Sequence, residues 1–119
     1  MLFRSLLDSR GNPQEQSPWL TIGKIYHVLA VELDSNAAWL LRFVGDGLNG
    51  VALFKLCQFE IVSPKIPANW IVCWRRNGLF ELAPEPWTQP GFWEDFYDQK
   101  SDARRIFEEE RRRIIETDP

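Results

Sequence analysis

The stretch "IYHVLAVEL", Ile25 to Leu33, constrains the fold more than any other part of this chain. Nearly every position in it is apolar, and Val, Ile and Tyr are prominent. Read as a strand, Ile25, Leu29 and Val31 share one face, while Tyr26, Val28 and Ala30 share the other. A strand that is apolar on both faces does not suit a one-sided sheet. It is either covered on both sides or strongly bent around a small barrel.

The segments that follow are also strand-like and short. After the turn-like break "DSNA", Trp39, Leu41 and Phe43 alternate with Leu40, Arg42 and Val44, the pattern of a half-buried strand. "GDGLNG" reads as a hairpin loop able to adopt positive φ. "VALFKL" and "CQFEIV" are two further strands, with Phe59 and Ile61 pointing one way and Glu60 the other. "SPKIPA" is a proline-broken connection. "NWIVCWRR" and "LFELA" then flank Asn77-Gly78, a strong hairpin signal because both turn residues need positive φ. In the first of these strands Trp70, Val72 and Trp74 share a face. Turn signals at such close intervals indicate a small antiparallel barrel or sandwich.

The two ends differ from this β-region, residues 20–82. Residues 1–18 read as an N-terminal arm punctuated by Gly11, Asn12, Pro13 and Pro18, with Leu2, Phe3, Leu6 and Leu7 available to dock as a short helix or edge strand. Residues 101–116 read as a helix. Ala103, Ile106, Phe107 and Ile114, with the stem of Glu110, form a narrow stripe. Ser101 or Asp98 is placed to cap its start, and Glu108–Arg112 and Glu109–Arg113 are favourable i,i+4 pairs. Between β-region and helix lies "PEPWTQPGFWEDFYD", residues 84–98, an aromatic Pro-rich strap carrying Trp87, Phe92, Trp93, Phe96 and Tyr97. The expected fold is a single α+β domain: a small, strongly bent antiparallel sheet or SH3-like barrel with the C-terminal helix packed on it.

Catalytic chemistry finds little to work with. His27 sits inside an apolar strand, without a neighbouring nucleophile or metal ligand at useful spacing. Cys57 and Cys73 form no CxxC motif and read as small strand hydrophobes, with reduced thiols. "GDGLNG" lacks the Lys-Ser/Thr of a phosphate loop. Glu94, Asp95 and Asp98 lie among aromatic rings, which can raise a carboxyl pKa, but they lack partner residues for acid–base work. The expectation is therefore a non-enzymatic protein with no metal and no cofactor. The first apolar segment is too short and too charged for a signal peptide, and no run reaches transmembrane length. The expected location is the cytoplasm, with no membrane partner.

Charge gives the sequence its one directional hint. From Pro84 onward there are ten acidic and six basic residues, against seven and eight before it. The acidic excess thus coincides with the aromatic strap and suits a basic protein partner, since charge complementarity speeds encounter and aromatics anchor the complex. The residues expected to meet that partner are Glu94, Asp95, Asp98, Asp102, Trp93 and Tyr97. Two alternatives remain open. Arg75-Arg76 beside Trp74 would suit an SH3- or OB-like nucleic-acid module, against which the net charge of −3 argues. The narrow stripe of the terminal helix would suit a scaffold subunit or homo-oligomer.

Several motifs taken together carry a resemblance. "LTIGKIYHVLAVE", a DG loop, "FEIV", "IPANW", "PEPWTQPGFWEDFYD" and a Glu/Arg-rich helix resemble small bacterial immunity proteins of polymorphic and contact-dependent toxin systems. The resemblance covers roughly Leu20 to Glu116. It implies a cytoplasmic protein that neutralises a cognate toxin, often a nuclease, by direct binding. It implies no shared catalytic residues, and it fixes no binding residues, because these vary with the toxin.

Overall fold

The computed structural model describes residues 1–5, 20–21, 23–34, 36–46, 51–74 and 78–119. Eight strands are found among them: β1 (Leu2–Ser5), β2 (Ile25–His27), β3 (Ala30–Leu33), β4 (Trp39–Val44), β5 (Val51–Lys55), β6 (Phe59–Ser63), β7 (Trp70–Trp74) and β8 (Phe80–Pro84). Two 3-10 turns (Leu56–Gln58 and Glu85–Thr88) and two helices, α1 (Phe92–Tyr97) and α2 (Ser101–Thr117), complete the order. The fold is α+β, as the strand and helix patterns predict. The strands form two antiparallel sheets, β2-β1-β6 and β5-β4-β3-β8-β7, and not a closed SH3-like barrel.

The doubly apolar run explains why there are two sheets. It breaks at Val28 and Leu29, which are both buried. The Val28 N–H donates to the Met1 carbonyl at 3.0 Å, still on the small-sheet side. The next amide, of Leu29, donates to the Arg42 carbonyl of β4 at 2.8 Å. The chain thus changes sheets between two consecutive residues, and both side chains land in the core. Bending, rather than two-sided cover of one straight strand, is the solution this sequence adopts.

β4 shows how the core divides. Leu41 and Phe43 project from one face and Arg42 from the other. On the first face, Phe43 stacks on Phe54 (4.4 Å between centroids) and meets Tyr26 (4.9 Å) and Phe59 (5.3 Å). Phe59 in turn meets Phe3 of β1, so these rings lie between the two sheets. On the opposite face, the Arg42 guanidinium lies 3.8 Å from the Trp93 ring centroid of α1. There a second set of rings, Trp87, Phe92, Phe96 and Phe107, joins strap and α2 to the large sheet.

Several local expectations are revised. Leu2–Ser5 is the middle strand of the small sheet, not an edge. The remainder of the expected arm (6–18), residues 47–50 of the glycine loop, Arg75, Arg76 and Asn77 lie outside the described residues. Gly78, at φ +84°, has the left-handed backbone that the Asn-Gly reading requires. Both cysteines are free, and Cys57 is exposed rather than buried. α2 buries Ala103, Phe107, Glu110 and Ile114, close to the predicted stripe. Neither Ser101 nor Asp98 caps it: the N-cap is Lys100, and Asp98 closes α1 instead. The helix's acidic side chains pair at shorter spacing or in the reverse order. Glu108 meets Arg111 (3.4 Å), Glu110 meets Arg113 (2.5 Å) and Glu109 meets Arg105 (3.2 Å). Glu110 also accepts a hydrogen bond from Asn69 Nδ2 at 2.7 Å, which accounts for a carboxylate on the buried face.

Candidate protein-binding surface

The strap is held by its rings. Trp87, Phe92 and Phe96 are buried to 2%, 8% and 2% exposure. Each contributes roughly 1.5–3 kcal/mol by leaving water. Trp87 packs on Phe107 of α2 at 5.1 Å and on Trp93 at 5.6 Å. Gly91, at φ +80°, turns the chain from the 3-10 segment into α1, a conformation that glycine adopts without steric cost. Spacing along α1 then fixes what faces outward. Phe92 and Phe96 are four residues apart and share the buried side, as the helical repeat requires.

The six residues expected to meet a partner separate into two groups. Glu94, Asp98 and Asp102 are exposed. Asp95 is partly covered, with its carboxylate 3.2 Å from Lys100 Nζ, and Asp102 lies 3.8 Å from Arg105. Tyr97 is half exposed, with its hydroxyl tied down by donating to the Val51 carbonyl at 3.0 Å. Trp93 is not an open anchor. One side of its ring is covered by Arg42, and its edge contacts Phe92, Phe96 and Trp87. The strap therefore presents charge on a rigid support, with Tyr97 as its exposed ring.

Beside the strap lies a cleft of about 210 Å³, lined by Glu32, Arg42, Glu81, Trp87, Trp93 and Glu94 among others. Glu32 and Glu81 stand directly opposite each other on β3 and β8. Like charges in that position repel. Arg42 shares their face of the sheet, and its guanidinium is 4.0 Å from Glu32 and 3.4 Å from the Tyr97 hydroxyl, to which it donates. Burial pulls the Arg42 pKa down, while Tyr97, Glu32 and Glu81 counteract the shift, and the guanidinium stays charged. This centre of opposed charges was missed by sequence reasoning. Its signal was available: Glu32, Arg42 and Glu81 are single charges inside otherwise apolar strands.

A second polar cluster gathers around Asp46, two residues beyond the end of β4. Asp46 accepts hydrogen bonds from Lys24 Nζ (2.6 Å), the Thr21 hydroxyl (2.5 Å) and the Tyr26 hydroxyl (3.0 Å). Desolvation works to raise the Asp46 pKa, but these bonds outweigh it and hold the carboxyl below its usual range. Lys24 is shifted up chiefly by its bond to Asp46, and Tyr26 is shifted up chiefly by burial.

Among the described residues, no group of three or more His, Cys, Asp or Glu is placed to hold a metal ion, and no helix is long and apolar enough to cross a membrane. No protein-family model, curated protein or solved structure matches the chain.

Proposed function

We propose that this chain is a non-enzymatic binding protein that neutralises a bacterial toxin by docking a basic surface of that toxin on the strap. The observation that carries the reading is the pairing of outward carboxylates with buried rings along the strap and into the first turn of α2. Glu94, Asp98 and Asp102 face water while Trp87, Phe92 and Phe96 hold their backbone in place. Charges on a preorganised support steer a basic partner and lose little freedom on binding. The resemblance to immunity proteins supplies the class of partner. The cytoplasm is the compartment in which such a protein would meet an incoming toxin.

The test is binding to the product of the neighbouring gene, followed by stopped-flow at low and moderate salt. A complex of nanomolar affinity is expected. Neutralising the charges with Glu94→Gln, Asp98→Asn and Asp102→Asn should slow association by about tenfold or more at low salt and flatten its salt dependence. Unchanged kinetics in that variant would remove the strap as the docking surface. Absence of any complex would remove the toxin reading itself.

A further inference from the structure

The large sheet ends in an open, apolar edge strand. β7 is the terminal strand in the order β5-β4-β3-β8-β7. Its five residues, Trp70, Ile71, Val72, Cys73 and Trp74, include no charge and no proline, and its register with β8 runs without a bulge. Edge strands are normally protected by such devices. Val72 and Trp74 are 62% and 69% exposed. Trp74 continues across the sheet through Phe80 and Leu33 to Trp39, itself 43% exposed, so the open edge is one end of an apolar strip.

The backbone of β7 fixes how a neighbour could add to it. Trp70 faces Pro84, which has no N–H, and the Trp70 N–H donates to the Pro67 carbonyl at 3.2 Å. That pair is therefore non-hydrogen-bonded. By the antiparallel alternation, Ile71 and Cys73 exchange bonds with Ala83 and Glu81. Val72 and Trp74 consequently turn both N–H and C=O groups away from β8, toward the open edge.

We propose that β7 pairs antiparallel with β7 of a second copy of this chain, about a dyad at Cys73, joining two five-stranded sheets edge to edge. The dyad position follows from the free backbone groups. An axis through Val72 would set Trp74 against Trp70, whose N–H is already taken. An axis through Cys73 sets Val72 against Trp74 twice and satisfies all four outward groups of each copy. The strand's own sequence thus completes its edge, and an uncharged strand brings no like charges together. Trp74 of one copy then lies beside Val72 of the other on the same face, so the two apolar strips become continuous. The strip is on the order of a few hundred Å² per copy, less than the ~1,200–2,000 Å² total of a standard stable interface. A weak dimer, dissociating at micromolar concentration, is the expected result.

The register provides its own reporter. The two Cys73 residues become a non-hydrogen-bonded pair with Cα atoms about 4.5 Å apart, inside the range that a disulfide spans. Sedimentation velocity under reducing conditions, from about 1 to 300 µM, should show monomer passing to dimer. Val72→Lys and, separately, Trp74→Lys change exposed positions and should give folded monomers across that range. In a Cys57→Ser background, diamide should take two hydrogens from two thiols and link the copies through Cys73. Val72→Lys should abolish that link. A wild-type monomer at the highest concentration would overturn the proposal, as would a dimer that survives Val72→Lys. A dimer whose Cys73 thiols do not cross-link would overturn the dyad.

Discussion

Replacing Phe107 by alanine tests whether α2 is held by the strap. Phe107 is 3% exposed, and its ring centroid lies 4.6 Å from Phe96, 5.1 Å from Trp87 and 6.2 Å from Trp93. Removing a buried phenyl ring costs about 3–5 kcal/mol, through lost transfer energy and the cavity left behind. The neighbours here are rings locked by one another, so the site cannot collapse to fill the space, and a loss of about 4 kcal/mol is expected. That is a large share of the roughly 5–15 kcal/mol available to a domain of this size. Seventeen residues of helix with a narrow apolar face gain little stability alone, so helicity and tertiary structure should be lost together.

The assay is urea unfolding followed in parallel by tryptophan fluorescence and far-UV circular dichroism. With m near 1.5–2 kcal/mol/M, the midpoint should fall by roughly 2–2.7 M, with m unchanged. Phe107→Leu, which refills most of the volume, should cost less than about 1.5 kcal/mol. Glu108→Ala, on the exposed side of α2, should stay within about 0.5 kcal/mol of wild type. A Phe107→Ala loss below about 1 kcal/mol, or equal losses for alanine and leucine, would refute the packing argument.

Two further perturbations probe the polar centres. Arg42→Met keeps an unbranched stem but removes the guanidinium from Trp93 and leaves Glu32 facing Glu81 without it; urea unfolding at neutral pH should show a loss of about 2–4 kcal/mol. The Asp46 carboxyl is held below its unfolded value, so its contribution is present above about pH 4 and is lost as pH falls through the folded pKa. Lys24 and Tyr26 are shifted up, so theirs is present below about pH 10 and is lost as pH rises beyond it. Asp46→Asn should therefore flatten the acid limb of a melting-temperature profile, and an acid limb identical to wild type would contradict the assignment.

What the sequence made legible follows from the physics of each residue type. Strand alternation depends on neighbours two positions apart, so Leu41 and Phe43 could be placed in the core from sequence. The helical repeat likewise gave the buried side of α2, including the stem of Glu110, because the signal lies within one element. The fate of Ile25–Leu33 was not decided locally. Bent strand and two-sided cover share one pattern, and the choice depends on Met1 and Arg42, which supply the two acceptors at Val28 and Leu29. Trp93 shows the same limit at the candidate surface. Its position on α1 is predictable from spacing, but the guanidinium that covers it arrives from β4, fifty-one residues earlier (93 − 42). Ion pairs on α2 were misassigned because long side chains have several partners within one turn, and their net preference is only about 0.2–0.5 kcal/mol.

The two surfaces suggest a division of tasks. Rings in the strap are consumed in holding it, so what faces outward there is mostly carboxylate, with Tyr97 bound at its hydroxyl. Such a surface governs encounter rate and salt dependence more than residence time. Tight binding needs a desolvated anchor, and on the strap side the cleft beside Trp93 is the concave feature available for one. Glu32, Glu81 and Glu94 around that cleft favour a cationic side chain, and Arg42 already occupies the covered side of Trp93 as one would from within the chain. The more exposed rings lie instead on the face of the large sheet opposite Arg42: Trp39 on β4 itself, and Trp74 on β7, three strand spacings or about 14 Å away across the sheet. If strap and edge act separately, Val72→Lys should leave association with the proposed partner unchanged while abolishing self-association, and neutralising the strap carboxylates should do the reverse. A single substitution that abolished both while leaving the chain folded would show that the proposed partner binds only the dimer, and would place the edge pairing upstream of that binding.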